Sequence, residues 1–135
     1  YNTTKGYVFK RKGEKTMGFV DIKEKVAKIL GGFLERNKNY AVEIYINNVV
    51  KNSNIGKIFI TSDSVYNADD KGFTLEWDKD ENFDVRYNKF SIPYDEVVAC
   101  YEETDQEDNL KISETAIVIL KNGMEFDFEC IGMRI

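Results

Sequence analysis

Residues 112–131 read I-S-E-T-A-I-V-I-L-K-N-G-M-E-F-D-F-E-C-I, and this stretch decides the fold class. Asn122-Gly123 between two β-branched and aromatic runs is the strongest short-range signal for a hairpin, and a two-residue type I′ turn is expected there. The arms are predicted from about Ile112 to Lys121 and from Met124 to Ile131. Pairing about the turn sets Ile119 opposite Phe126 and Ile117 opposite Phe128. The alternation then sends Glu125, Asp127 and Glu129 to the opposite face, beside Leu120, Val118 and Ala116.

Working back from this hairpin, the same period of two recurs. Val97 to Tyr101 reads as a strand and Glu102 to Asn109 as an acidic loop. Phe90, Ile92 and Tyr94 form a short strand, where Pro93 argues for an edge or a strand end. Phe73, Leu75 and Trp77 alternate with polar residues, as do Phe83, Val85 and Tyr87. A hairpin about Asp78–Asn82 would pair Trp77 with Phe83, Leu75 with Val85 and Phe73 with Tyr87. Ser62 to Gly72 reads as a connection, and Ile55 to Thr61 as a strand whose Ile58-Phe59-Ile60 suggests burial on both faces. Tyr40, Val42, Ile44 and Ile46 line one face of the first strand, with Glu43 and Tyr45 on the other.

Ahead of the strands the period lengthens. Ile22, Val26, Ile29, Leu30 and Phe33 recur at helical spacing, opposite Lys23, Glu24, Lys25 and Lys28. Asp21 with Glu24 resembles a capping box, so a helix is expected from about Asp21 to Arg36. Gly31 and Gly32 each cost about 1 kcal/mol relative to alanine there. They either end the helix early or let its backbone lie close against a sheet. The expected fold is mostly β (α+β): an N-terminal amphipathic helix followed by a strongly bent antiparallel sheet or small β-barrel of about seven strands.

The chain has 135 residues, 42% of them apolar and 13% aromatic, which suits one domain. Residues 1–16 carry Lys5, Lys10, Arg11, Lys12 and Lys15 against Glu14 and form a basic N-terminal arm or an appended remnant, Met17 resembling a natural start. Residues 17–135 then form the helix-plus-barrel domain. No apolar run is long enough to span a bilayer, and the start lacks the apolar core of a secretory signal. Cys100 and Cys130 have no CxxC spacing and read as two buried thiols of a cytoplasmic protein, a disulfide staying open.

There is no histidine, which removes the commonest general base and metal ligand. No phosphate-binding glycine loop or nucleophile elbow occurs, and the carboxylates cluster in loops rather than in a cleft-like pattern. No enzyme, cofactor or metal site is therefore expected. Asp78, Asp80 and Asn82 open like a calcium loop, yet Phe83 stands where a glycine is required and Lys89 where a bidentate glutamate belongs. The net charge of −5 disfavours nucleic acid, whose binding is driven by phosphate neutralisation.

Two binding surfaces are expected. Glu125, Asp127 and Glu129 stand about 7 Å apart along one strand, too far to chelate one ion. Either cations of the domain cover them, or a basic protein partner docks there. Arg86, with Tyr87 and Tyr45 for stacking, is the candidate for a small ligand or nucleotide, Arg86, Lys89 and Arg134 being cations of the acidic body that an anionic ligand would recruit. Trp77 and Tyr101 are further aromatic candidates, core packing being the alternative for Trp77 and Tyr87.

The helix followed by V-E-I-Y-I-N-N at residues 42–48, with I-P-Y-D-E-V-V from Ile92 to Val98, resembles the layout of bacterial Sm-like RNA chaperones. That resemblance implies a ring oligomer and single-stranded nucleic-acid binding, although the basic-histidine signature is missing. F-S-I-P-Y-D-E-V-V with A-I-V-I-L-K-N-G-M-E-F-D-F resembles the late strands of pleckstrin-homology-like domains, without their closing helix. The leading expectation is a non-enzymatic binding protein acting through a protein–protein surface, with homo-oligomerisation left open, of the accessory or inhibitor kind that phages and mobile elements encode.

Overall fold

A computed structural model describes residues 21–107 and 111–135, with no side-chain account of 105–107 and 111–113. The basic stretch 1–16, Met17 and the 16/17 boundary lie outside the described residues. The helix occupies 22–36 rather than opening the chain. It runs as α1 (Ile22–Val26), a π turn (Ala27–Gly31) and α2 (Gly32–Arg36). Asp21 caps it through Oδ1, which accepts from Lys23 N at 2.9 Å. The two glycines do not end it. A Cβ on Gly31 would stand 3.4 Å from the Tyr66 ring, an ordinary contact distance, so the helix backbone lies close against a strand here with room for no more than a small side chain.

Among the described residues, eight antiparallel strands follow in two sheets rather than one closed barrel. β1 (Tyr40–Asn48), β2 (Ser53–Ile60), β6 (Val97–Glu107), β7 (Lys111–Leu120) and β8 (Met124–Arg134) form a five-stranded sheet in the order β2-β1-β8-β7-β6. β3 (Ser64–Ala68), β4 (Gly72–Asp80) and β5 (Val85–Pro93) form a three-stranded one in that order. β2 and β6 remain as edges of the first sheet, β3 and β5 of the second, which is why no barrel closes. Pro93 ends edge strand β5, where its missing N–H costs no ladder bond.

One face of the larger sheet carries the core: Val42, Ile44, Cys100, Ala116, Val118 and Phe128, all at most 3% exposed. The helix packs over β6 and β7 with Ile22, Val26, Ile29, Leu30 and Phe33 buried. The smaller sheet contributes Phe73, Leu75, Trp77 and Ile92. Phe90 joins the sheets by edge-to-face contacts with Phe126 and Phe128, centroids 5.0 and 6.2 Å apart. At the helix C-terminus, Arg36 donates from Nε and Nη2 to the Glu114 carboxylate on β7, at 3.2 and 3.1 Å.

The registers differ from those expected. Phe73 faces Ile92, Leu75 faces Phe90 and Trp77 faces Asn88, so the β4–β5 hairpin is longer and its pairing is displaced by an odd number of residues. An odd displacement turns every side chain of one strand to the other face. Phe83, Val85 and Tyr87 are therefore exposed, at 73%, 49% and 67%, while Phe90 and Ile92 take their place inside. Glu76 meets Lys89 rather than Asp84, and Asp84 pairs with Lys79 at 2.8 Å.

The last hairpin is shifted by one. Val118 faces Phe126, Ala116 faces Phe128, and Ile119, Ile117 and Thr115 face Glu125, Asp127 and Glu129. Its loop has three residues, with Gly123 N donating to Leu120 O at 3.0 Å and Gly123 at φ +89°. Asn122 has no positive φ among the non-glycine exceptions, which a type I′ turn would need. The segment expected as a connection, 62–72, contains β3. Most of the expected acidic loop 102–109 is strand, β6 running to Glu107. Phe59 is 52% exposed, because edge strand β2 buries only its inner side.

Candidate functional sites

The face of the larger sheet turned away from the core is set by strict alternation. Glu43, Tyr45 and Asn47 of β1 stand opposite Glu129, Asp127 and Glu125 of β8. These in turn stand opposite Thr115, Ile117 and Ile119 of β7, beyond which come Glu103, Tyr101 and Ala99 of β6. Neighbouring strands are about 4.8 Å apart, so Glu43 and Glu129 are direct cross-strand partners of like charge, an unfavourable pairing. Lys57 of β2 offsets it in part, with Nζ 3.7 Å from Glu43 Oε1 and 5.8 Å from the Tyr45 ring centroid.

This face is not a row of solvated carboxylates. Glu43 is 8% exposed and Ile117 4%. Glu43 Oε2 and Asp127 Oδ1 are buried and make no hydrogen bond among the described residues. Burial, then Glu125 beside it, then Glu129 and Glu103, push the Asp127 carboxyl up to about 7. Burial and then Glu43 raise Glu129 as well. Asp127 is thus poised between neutral and charged at physiological pH, and the cause is crowding of acids in a partly dry setting.

A second feature lies where the helix meets the smaller sheet. The helix C-terminal half and β3 border a half-open cleft of about 550 Å³, lined by Leu34, Val65 and Tyr66 and by polar residues that include Lys38, Asn39, Ser64 and Arg86. Tyr66 is held there by stacking on Phe73, centroids 5.7 Å apart. Tyr66 and Tyr94 turn their hydroxyls toward each other, but neither forms a hydrogen bond of good geometry, and burial raises both phenols. Arg86 shares its strand face with Phe90, and its Nη1 donates to Asp63 O at 3.3 Å.

Comparison with protein families, curated proteins and solved structures finds no match. The chain's own geometry therefore carries the reading of both features.

Of the residues expected to bind a ligand, only Arg86 reaches the cleft. Tyr87 points to the opposite side of β5, where its hydroxyl donates to Asp80, and Tyr45 lies on the acidic face. Trp77 is core and Tyr101 is half-buried on the acidic face. The three carboxylates expected as a partner surface do share one face, joined by Glu43 and Glu103, which strand order alone could not have brought in. The calcium-like residues are used otherwise. Asp78 accepts from Ser62 Oγ at 2.8 Å and from Asn88 Nδ2, and Asp80 accepts from Asn82 N at 2.9 Å. No cluster of metal-ligating side chains occurs among the described residues. Both cysteines are free, and no helix among the described residues is long and apolar enough to cross a membrane.

Proposed function

We propose that the protein is a non-enzymatic binding protein of the cytoplasm that docks a basic protein segment on the acidic face of its larger sheet. One observation carries this reading. Carboxylates from three strands, Glu43, Glu103, Glu125, Asp127 and Glu129, are aligned on one sheet face, two of them with buried oxygens that lack a donor among the described residues. Leaving such a group unsatisfied costs about 1–3 kcal/mol, and Lys or Arg side chains of a partner would supply the missing donors. Ile117, Ile119, Tyr45 and Tyr101 between the acids supply the apolar area that a charged patch alone lacks.

The test is titration calorimetry with a short Lys/Arg-rich peptide, on the native chain and on the variant Glu125→Gln/Asp127→Asn/Glu129→Gln. The expected outcome is salt-sensitive binding that falls at least about tenfold in the variant. Equal binding to both chains would reject the acidic face as the docking surface. Repeating the titration without residues 1–16 separates an external partner from the chain's own cations, since tighter peptide binding by the shortened chain marks those residues as a competitor. Native mass spectrometry reads a second copy of the chain as the occupant if the mass doubles and the variant restores the monomer.

A further inference from the structure

Beyond the acidic face, we propose that the cleft between the helix and β3 binds a small organic acid, an apolar body bearing a single carboxylate that Arg86 receives. Four observations converge on that chemistry. The cleft, at about 550 Å³, has the size of small-molecule sites, and its lining sets an apolar side, Leu34, Val65 and Tyr66, against polar and charged residues that include Lys38, Asp63 and Arg86.

The second observation is the state of Arg86. Among the described residues its guanidinium makes no ion pair, and its one hydrogen bond goes from Nη1 to a backbone carbonyl, Asp63 O. Five donors in a planar fork match a carboxylate better than a single carbonyl does, so most of the fork is left for a ligand. Lys38 across the rim is engaged, with Nζ 3.1 Å from Glu35 Oε1, and neutralises that acid.

Third, the charges at the rim limit the ligand. Glu35 and Asp63 face the same opening as Lys38 and Arg86. Glu35 with Lys38 and Asp63 with Arg86 sum to zero, so the rim has no excess positive charge to hold a dense polyanion such as phosphate, whereas one carboxylate needs only the open donors of the Arg86 fork. Fourth, the helix is irregular at this wall. The π turn ends at Gly31, whose backbone passes within contact range of the Tyr66 ring, and such turns recur at functional sites. Leu34, Val65 and Tyr66 then form the apolar surface that the body of the acid covers.

The experiment follows backbone and side-chain NMR shifts of the full chain during titration with 3-phenylpropionate, its neutral amide and inorganic phosphate. The acid is expected to bind with Kd on the order of 1 mM, the affinity such a small ligand reaches, with shifts centred on Gly31, Tyr66 and Arg86. The amide and phosphate are expected to bind at least about tenfold more weakly. In Arg86→Gln, which keeps a donor for Asp63 O, the acid's affinity should fall about tenfold or more, with an unchanged melting temperature showing an intact fold. Equal affinity for acid and amide, undiminished binding by Arg86→Gln, shifts centred elsewhere, or no binding up to about 10 mM would each overturn the proposal. The acidic-face variant serves as the control. Its loss of peptide binding with unchanged acid binding separates this site from the docking surface.

Discussion

Replacing Asp127 by asparagine should stabilise the protein, and only above a definite pH. The ordinary aspartate value is 3.8, and in the folded chain burial and the neighbouring acids push it up to about 7. Between those values the folded state holds a proton that the unfolded state has released. The contribution of Asp127 is therefore fully present below about pH 4 and is lost as the pH rises through 7. The shift of about three units corresponds to a ceiling near 4 kcal/mol. Asp127 is only partly buried, so solvent screens much of that, leaving roughly 1–2 kcal/mol. Asparagine has the shape of the carboxyl, cannot ionise, and brings an N–H₂ that can donate to Glu125 or Glu129. Asp127→Asn should thus raise the melting temperature at pH 8 by about 4–8 °C and change it by less than about 2 °C at pH 4.

The assay is thermal unfolding followed by circular dichroism at both pH values, with Glu129→Gln as a weaker companion of the same sign, since Glu129 is also raised. A melting-point difference that does not grow from pH 4 to pH 8 would refute the reasoning. A lower melting point for Asp127→Asn at pH 8 would refute it more strongly, because it would mean that the charged carboxylate is a stabilising partner of some cation.

Four further outcomes are expected. At Gly72 a Cβ would fall 2.4 Å from Ile92 O and 2.9 Å from Pro93 Cα, so Gly72→Ala should destabilise by about 2–4 kcal/mol in denaturant unfolding. Gly56→Ala on the edge strand, with nothing within 4 Å, should be neutral to within about 0.5 kcal/mol. Asp21→Ala removes the acceptor for Lys23 N and should cost about 1 kcal/mol by the same measurement. Burial pushes the Cys100 thiol up to about 12, so under native conditions at pH 8 it should resist a thiol-reactive dye. Half-buried Cys130 should react first.

The helix, β1 and the position of the last hairpin are legible in the residues, because each has a single period and a clear terminator. The registers are not, and the reason is specific. In the last hairpin β7 reads A-I-V-I-L over 116–120, apolar on both faces, so the pattern is equally content with either parity. The turn geometry at Gly123 decides it. In the β4–β5 hairpin two apolar alternations of opposite parity compete, Phe83-Val85-Tyr87 near the tip and Phe90-Ile92 beyond it. The farther set wins by packing Phe90 on Phe126 and Phe128. That choice also turns Arg86 inward and Tyr87 outward. As sequence neighbours on one strand they face opposite sides in any register, so they never form one ligand site. β3, S-V-Y-N-A, is too short and polar to announce itself, and the cleft it walls goes unread with it.

The two faces of β8 also show where folding demands stop. Phe126 and Phe128 must point inward to hold the two sheets together, and alternation then obliges the intervening residues to point outward. It does not oblige them to be acids. Serine, threonine or lysine would satisfy the same pattern, and lysine at 129 would pair with Glu43 where Glu129 repels it. The chain instead sets acid against acid across β1 and β8 and buries two carboxylate oxygens that have no donor among the described residues. Departures from local consistency concentrate where a surface is used rather than merely exposed. A face costly to keep bare and relieved by cations is the physical form that a docking surface for a basic segment takes.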